Sequence, residues 1–499
     1  MLPIDGFVAF LALFVLFVAL GFGASKWRKG DLGTLHEWAL AGRRLGTALV
    51  WFLVGADLYT AYTFIAVPSS MYAVGSIYFF AVPYVALTFA FAMLLLPRLW
   101  KISRERGYIT AADFVKDEFS SSTLAILVAI VGIVAELPYI ALQIVGMQAV
   151  LSAMLIGVSD VATVSELSLI VAFIVLAAFT YTSGLRGATV TAVLKDALIF
   201  VAIIGVIVVV AVSGGFHAAF ANLKPVYTTL PTKFYNAYWS LFLMSALALY
   251  LYPHAINGAL SAEDPEKLRK STSLLPLYGI GLAFLALFGV LIYGNSAALA
   301  LVKTFPAASQ GVLVVPSLIL SVLPSWFAGI AFLGIFIGGL VPAAIMAISQ
   351  ANLLTRNIIK EFKRNITPQQ ETTISKWTSV IFKFLALGFV FVIPATYAIQ
   401  LQLFGGVLIL QTLPAVFLAL ITKRLNKYAS IVGLLGGIAT GLYLMEIANG
   451  FSKWHTTLYN APFGLLFIGV TALGVNLIIT IVGSLVIPVK PKVAVATEA

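Results

Sequence analysis

Residues 51–68 have the sequence WFLVGADLYTAYTFIAVP, an apolar stretch that is interrupted by Gly55, Asp57 and Pro68. Glycine and proline free backbone groups from helical hydrogen bonding, and at membrane depth such backbone is tolerated only inside protein or beside a water-filled cavity. Asp57 adds a carboxylate, which is costly to bury in an apolar environment. The stretch therefore predicts a broken membrane helix beside a functional site. The alternative is that Asp57 only caps the second half of the helix.

The composition predicts that most of the chain lies in lipid. Hydrophobic residues make up 61% of the 499 residues and charged residues only 10%, whereas soluble domains carry about 25% charged residues. Asp5 before the first apolar run and Lys26 after it favour a retained first helix over a cleaved signal peptide. The chain has no cysteine, which excludes disulfides and thiol chemistry. We therefore predict an all-α polytopic protein whose main partner is the lipid bilayer.

Thirteen apolar stretches of the sequence are long enough to cross about 30 Å of hydrocarbon. These spans 1 to 13 are predicted at residues 4–24, 45–75, 77–99, 122–155, 163–182, 187–213, 236–260, 272–301, 325–353, 377–398, 401–421, 428–448 and 463–487. Of the 30 Lys and Arg residues, only Lys224, Lys233, Lys303 and Lys453 lie in loops on the less basic side. The positive-inside rule then predicts a cell-membrane protein with its N-terminus outside and its C-terminus in the cytoplasm. The net charge of +11 is explained without a nucleic-acid partner.

A second broken span matches the first. Residues 249–262 of span 7, LYLYPHAINGALSA, contain Pro253 and Gly258. Spans 2 and 7 lie five helices apart, so two five-helix copies would enter the membrane from opposite sides. Interrupted helices at matching positions of inverted repeats are the best sequence indication of a transporter's central site. The alternative is that the prolines only kink helices for packing.

This pattern predicts a division of the chain into a core and two peripheral parts. Residues 1–44 form a peripheral first helix and loop, and residues 426–499 form two peripheral helices and a cytoplasmic tail. The core, residues 45–425, contains inverted repeats at about 45–215 and 236–425. Glycine and proline at 338–342 in span 9 and at 405–414 in span 11 predict further breaks in the core.

The break in span 2 is the first candidate for ion or proton coupling. It offers the Asp57 carboxylate together with the backbone of Gly55, Ala56 and Leu58, and hard cations prefer such oxygen ligands. Gly55 and Leu58 are thus candidates for a bound Na⁺, and the sequence indicates no other metal site.

Two further acids lie inside predicted spans. Glu136 in span 4 shares a helix face with Tyr139 at i+3 and Gln143 at i+7. It is expected either to carry a proton or to remain protonated in a hydrogen bond to a neighbouring helix. Asp196 in span 6 follows Lys195, so it has either a coupling role or a structural ion pair.

Polar and aromatic residues near the breaks are candidates for substrate binding. His254 follows Pro253 and has Tyr250 at i−4 and Asn257 at i+3, so it could bind a carboxylate or shuttle a proton. Gln411 in span 11 is an amide donor that could contact substrate or join helices. The complete set of predicted substrate contacts is Tyr59, Thr60, Tyr139, Gln143, Tyr250, His254, Asn257 and Gln411.

Several other classes of function lack their motifs. The sequence has no GxxxxGK[ST] loop, and its four histidines do not cluster as metal ligands do. No convergent acid, base or nucleophile set indicates an enzyme, and no cofactor is expected. A channel would show repeated filter residues, and a membrane sensor would add a soluble signalling domain. These two classes are the alternatives to a transporter.

The chain resembles the sodium:solute symporter family, in particular its monocarboxylate permease branch. The segments that carry the resemblance are EWALAGRRLG, WFLVGADLYTAYTFIAVP, PYIALQIVG, YTSGLRGATVTAVLKD, LYLYPHAINGALSA and LVPAAIMAISQANLLTRNIIKEF. The resemblance implies a thirteen-helix, five-plus-five inverted-repeat fold of the leucine-transporter type. It also implies symport of a small monocarboxylate (pyruvate, lactate, acetate or propionate) with H⁺ or Na⁺ by alternating access. The alternative within the family is a sodium-coupled amino-acid or vitamin symporter of the proline or pantothenate type.

The resemblance bears on the coupling ion. It places the backbone of residues 55–58 and the Asp57 carboxylate near the family's sodium site. Many members add Ser and Thr hydroxyls from span 9, where this chain has Val341 and Pro342. Those side chains cannot coordinate sodium, and Ser349 lies two turns further on. Proton coupling through Asp57, Glu136 or His254 is therefore the favoured expectation.

Overall fold

The computed structural model describes residues 2–27, 30–158, 160–221, 223–390, 398–452 and 454–487, and of Ala56, Val161, Phe389 and Val390 it describes only the backbone. Eleven helices in these ranges are long and apolar enough to cross a membrane. They correspond to spans 1, 3 to 9 and 11 to 13, so the protein is an all-α polytopic membrane protein as predicted. Span 2 is interrupted, and span 10 runs into residues 391–397, which lie outside the described ranges. The total of thirteen spans stays a prediction.

The bounds of the elements follow the apolar pattern closely. Spans 1, 3, 4, 5 and 6 contain helices Ile4–Gly23, Ala81–Arg106, Ser122–Met154, Val161–Ser183 and Leu185–Val212. Spans 8 to 13 contain helices Pro276–Leu291, Ser325–Asn352, Pro368–Val390, Ala398–Ile409, Lys427–Ala448 and Ile468–Val486. Shorter helices in the connections include Leu35–Leu40, Ala111–Phe119, Gly215–Phe220, Pro225–Thr228, Pro265–Leu274, Ser296–Lys303, Ala307–Gln310 and Val314–Val322.

Span 2 is broken where the sequence predicts. Its first half, Thr47–Ala56, is followed by the non-helical residues 57–60. Helical structure resumes at Ala61 and continues as a π-helical turn, Tyr62–Ala66, and the helix Val67–Ala73. Glycine is required at position 55, because a Cβ there would lie 2.2 Å from Cζ of Tyr278. The freed N–H of Ala61 donates to Oε1 of Gln143 in span 4 at 3.0 Å.

Span 7 is broken in the same manner. The helix Tyr235–Ala248 continues as a 3₁₀ turn Leu249–Leu251, and the second helix is Pro253–Leu260. Tyr252 between them has extended backbone angles, and Pro253 has no N–H to continue the ladder. Both matched breaks are thus confirmed.

Span 9 corrects the prediction of a third break. The helix Ser325–Asn352 is continuous through Gly338, Gly339 and Pro342, and every residue from 331 to 352 is buried. The glycines serve packing, because a Cβ at Gly339 would lie 2.8 Å from the carbonyl oxygen of Gln143. Span 11 also stays helical across residues 398–421, with a 3₁₀ turn at Leu410–Thr412 and a π-helical turn at Pro414–Leu418.

A small sheet lies between spans 12 and 13, which the apolar pattern did not indicate. Strands β1, Leu458–Ala461, and β2, Gly464–Phe467, form an antiparallel hairpin. The Phe467 N–H donates to the Ser240 hydroxyl at 3.0 Å, and this bond ties the hairpin to the start of span 7. Spans 1, 12 and 13 expose large apolar side chains such as Val8, Val432 and Ile478, as lipid-facing helices do.

Candidate functional site

The two helix breaks meet in the centre of the bundle. Nε2 of His254, in the break of span 7, lies 4.0 Å from Oδ1 of Asp57, in the break of span 2. Asp57 is 4% exposed and His254 is fully buried. Neither carboxylate oxygen of Asp57 nor Nε2 of His254 has a hydrogen-bond partner in the described structure. Because buried polar atoms are nearly always paired, these atoms are open to a proton, a water molecule or a substrate.

Glu136 of span 4 fixes the other side of the His254 ring. Its Oε1 accepts from the backbone N–H of His254 at 2.9 Å and lies 2.6 Å from Nδ1. The carboxylate thus caps the second helix of span 7, whose first N–H groups have no helical partner and whose dipole favours negative charge. Ser349 of span 9 donates its hydroxyl to Oε2 at 2.9 Å. An ionised Glu136 keeps a proton on Nδ1, so Nε2 is the nitrogen that can gain or lose a proton toward Asp57.

Together these residues form a line from span 9 to span 2: Ser349, Glu136, His254 and Asp57, which we name the carboxylate–histidine line. Aromatic rings enclose it. The ring centroids of Tyr139 and Tyr252 lie 5.6 Å and 5.5 Å from that of His254. The hydroxyl of Tyr252 donates to the carbonyl of Gln402 at 3.1 Å, which holds that ring in place. The buried hydroxyl of Tyr250 has no partner in the described structure.

A second buried cluster lies on the other side of the span 2 break. Nζ of Lys195 donates to the carbonyl oxygen of Tyr59 at 2.9 Å and lies 2.8 Å from Oδ1 of Asp196. The Tyr278 hydroxyl donates to Oδ2 of Asp196 at 2.6 Å. The hydroxyl of Tyr59 donates to the carbonyl of Tyr278 at 3.0 Å. Lys195 and Asp196 are both fully buried, so their charges are balanced inside the cluster.

The predicted sodium position has few open oxygens. The Gly55 carbonyl accepts the N–H groups of Leu58 at 2.9 Å and of Tyr59 at 3.2 Å. The Leu58 carbonyl accepts the Thr63 hydroxyl. In the described part of the chain, no group of three or more His, Cys, Asp or Glu residues could hold a metal ion.

The structure places several of the predicted site residues in the two buried clusters. Asp57, Glu136, Tyr139 and His254 meet at the carboxylate–histidine line, whereas Tyr59 and Asp196 belong to the lysine cluster. Gln143 is engaged by the backbone, since its Nε2 donates to the Tyr139 carbonyl at 3.2 Å and its Oε1 accepts from Ala61.

Three predicted contacts are occupied in other ways. Oγ1 of Thr60 accepts the N–H of Tyr62 at 3.1 Å, and Nδ2 of Asn257 donates to the Ala39 carbonyl at 3.0 Å. Gln411 does not reach the line. Its Oε1 accepts from Asn476 of span 13 at 3.2 Å, and a Cβ at Gly437 of span 12 would lie 2.0 Å from it. Gln411 thus joins spans 12 and 13 to span 11, in agreement with the alternative interpretation of this amide.

The sequence predicted no role for two residues that complete the buried clusters. Ser349 completes the carboxylate–histidine line, and Tyr278 completes the lysine cluster. Ser349 carries a hydroxyl in a mostly apolar helix, and this pattern could have indicated it as a candidate. Tyr278 carried no such signal, because aromatic residues are common throughout spans.

The two faces of the bundle are closed to different extents. On the face that carries the basic loops, which we name the basic face, a narrow cavity reaches the line and is lined by Thr110, Asn257, Ser349 and Thr412 among others. On the opposite face three tyrosines form a cluster. The Tyr227 hydroxyl bonds to the Tyr293 hydroxyl at 2.8 Å, and the Tyr293 hydroxyl donates to the Tyr72 carbonyl at 2.9 Å. This tyrosine cluster joins the ends of spans 2 and 8 to the loop helix Pro225–Thr228.

Comparisons with known proteins identify relatives along nearly the whole chain. A model of the sodium:solute symporter family matches residues 38–437. A monocarboxylate transport permease protein of Rhizobium johnstonii is 39% identical over 495 residues, which cover 97% of each chain. The symporter YodF of Bacillus subtilis, described as uncharacterized, is 33% identical over 445 residues and covers 87% of this chain and 86% of its own.

A solved structure shows the same fold. A Na⁺-coupled sialic acid symporter in a substrate-bound, outward-open state superposes with a TM-score of 0.77, covering 98% of this chain and 100% of that chain. The two sequences are 15% identical, so the likeness extends to the fold alone. The leucine-transporter-type architecture implied by the sequence is thereby confirmed.

Proposed function

The chain belongs to the sodium:solute symporter family, and on that premise we propose that it takes up a small monocarboxylate together with protons by alternating access. The observation that supports proton coupling is the carboxylate–histidine line, whose open atoms are two oxygens of Asp57 and Nε2 of His254. A symporter needs a group whose charge depends on the transported ion and that also contacts the substrate path. Asp57 and His254 meet both conditions.

The charge at the line explains how proton and carboxylate would enter together. An ionised Asp57 repels a carboxylate substrate. A protonated Asp57 is uncharged and removes this repulsion, and a doubly protonated His254 attracts the substrate. Substrate binding is therefore linked to proton binding, and each strengthens the other by the same factor. One proton with one monocarboxylate moves no net charge, so such a cycle would respond to the pH gradient rather than to the membrane potential.

The chemistry of the site supports a small carboxylate. Besides the Asp57 oxygens, the Tyr250 hydroxyl and His254 Nε2 are open, and the rings of Tyr139 and Tyr252 pack beside the imidazole. A relative that is 39% identical carries the name of a monocarboxylate transport permease. We further propose that the basic face lies in the cytoplasm of the cell membrane and that residues 45–425 form the transport core, with 1–44 and 426–499 peripheral.

Uptake by purified protein in liposomes tests the proposal. Labelled pyruvate or acetate is supplied outside, and an inward pH gradient and an inward Na⁺ gradient are imposed separately. We expect accumulation under the pH gradient with Na⁺ absent, and none under the Na⁺ gradient alone. Accumulation driven only by Na⁺ would contradict proton coupling, and no gradient-driven uptake of any small carboxylate would contradict the substrate class.

A further inference from the structure

The lysine cluster occupies the place where the break in span 2 would offer oxygens to a cation. Residues 57–60 are non-helical, and unwound carbonyls at such breaks coordinate the coupling cation in transporters of this architecture. Here the Tyr59 carbonyl of that segment accepts a hydrogen bond from the ammonium group of Lys195. Span 9 passes the same oxygen, because a Cβ at Gly338 would lie 3.8 Å from it.

The surrounding residues add one carboxylate, and it is already paired. The Lys195 ammonium pairs with Asp196, whose other oxygen accepts from Tyr278. Residues 338–342 of span 9 are Gly-Gly-Leu-Val-Pro, so the helix nearest to the Tyr59 carbonyl carries no side-chain oxygen there. A sodium ion requires several oxygens around it, and this position supplies a backbone carbonyl and a carboxylate that an ammonium already holds.

We infer that the Lys195 ammonium is a built-in cation, which takes the position and the charge of a bound sodium ion and makes the protein independent of Na⁺. A tethered ammonium neutralises Asp196 and holds the carbonyl of the broken helix without leaving during the cycle. The consequence for transport rests on the proposed symport function, whereas Na⁺ binding is measured without any substrate.

Removal of the ammonium should expose the position to Na⁺. In Lys195→Ala, the Asp196 carboxylate and the Tyr59 carbonyl lose their partner and face the space that the lysine side chain leaves. We expect Na⁺ to raise the midpoint of thermal unfolding of this variant in a saturable manner, relative to choline at equal ionic strength. The wild-type protein should show equal midpoints in the two salts. Retention of ²²Na⁺ by the purified protein should follow the same pattern.

Two control variants make the result specific. Lys383→Met removes another fully buried lysine, which lies in span 10 and donates to the Ser379 carbonyl at 3.4 Å; it should show no response to Na⁺. The double variant Lys195→Met/Asp196→Asn removes both charges, so it should fold and also show no response. If Lys195→Ala does not fold, the wild-type measurements still test the inference, because a saturable Na⁺ effect on the wild-type protein would contradict a built-in cation.

Three outcomes would overturn the inference. They are a saturable Na⁺ effect on the wild-type protein, a folded Lys195→Ala that gains no Na⁺ effect, and a double variant that responds to Na⁺ although its carboxylate is gone. Failure of the wild-type protein to take up any small carboxylate would instead contradict the proposed function, and the Na⁺ measurements would remain valid. The two failures are therefore distinguishable.

Discussion

At the scale of single residues, Asp57 is the least satisfied polar side chain of the two breaks. It is buried, both its oxygens lack hydrogen-bond partners in the described structure, and Nε2 of His254 lies 4.0 Å from its Oδ1. By contrast, Glu136 accepts three hydrogen bonds, and Asp196 is paired with the Lys195 ammonium and accepts from the Tyr278 hydroxyl. Burial without partners is costly, so Asp57 is the acid whose charge should change most readily during transport.

Replacing Asp57 by Asn should therefore uncouple transport from the pH gradient. A tenfold gradient of either solute stores about 1.4 kcal/mol, so a one-proton symporter accumulates substrate about tenfold for each pH unit. Liposomes that contain Asp57→Asn should reach an inside-to-outside ratio of about one, measured with labelled substrate at an inward gradient of about one unit. The exposed N-cap Asp160 provides the control, since Asn caps equally well there. Full accumulation by Asp57→Asn would remove this residue from coupling.

At the scale of helices, span 4 serves both breaks. Glu136 accepts the first free N–H of span 7, and Gln143, two turns later on the same face, accepts the free N–H of Ala61 in span 2. The sequence placed these two side chains on one face, and the Gly-Pro pattern predicted both breaks. It did not distinguish them from span 9, where Gly338 and Pro342 lie in a continuous helix.

Whether glycine and proline break a span depends on hydrogen-bond partners that are distant in the sequence. A proline removes one N–H and disturbs the carbonyl four residues earlier, and neighbouring helices can absorb that disturbance. A break forms where another element supplies acceptors for the freed groups, as span 4 does. For the same reason the sequence identified Asp57, Glu136 and His254 as candidates but could not show that Lys195 reaches the Tyr59 carbonyl. That contact spans 136 residues of sequence.

The support from span 4 can be measured at Gln143. In Gln143→Leu the buried N–H of Ala61 loses its acceptor, and an unsatisfied buried group costs about 1–3 kcal/mol. We expect a lower midpoint of thermal unfolding in detergent than for the wild-type protein. Gln369→Leu, at an exposed position near the start of span 10, should change stability by less than about 0.5 kcal/mol. Equal midpoints for Gln143→Leu and Gln369→Leu would show that Gln143 does not support the break.

At the scale of the whole molecule, a narrow cavity extends from the line toward the basic face, whereas the tyrosine cluster joins two spans to a loop helix on the other face. The lack of native cysteine allows single thiols to report this asymmetry. Thr412→Cys lines the cavity, Ser273→Cys lies exposed on the basic face, and Thr304→Cys lies exposed on the opposite face. A membrane-impermeant maleimide should label Thr412→Cys from the same side as Ser273→Cys, and more slowly when pyruvate is present.

The same variants test the orientation in the membrane. In intact cells only Thr304→Cys should react, because the basic face is proposed to be cytoplasmic. Reaction of Thr412→Cys from the side of Thr304→Cys would contradict access to the cavity from the basic face. Reaction of Ser273→Cys in intact cells would contradict the proposed topology.

The unbroken course of span 9 has a mechanical consequence. The helix approaches the Tyr59 carbonyl at Gly338 and reaches Glu136 through Ser349, eleven residues later, which is about 16 Å at 1.5 Å per residue. A helix without an interruption keeps that separation constant. Span 9 therefore holds the lysine cluster and the carboxylate–histidine line at a fixed distance from each other. When span 9 tilts, a displacement at one cluster is accompanied by a displacement at the other. The movements of the two broken helices are therefore coupled through this one rigid helix.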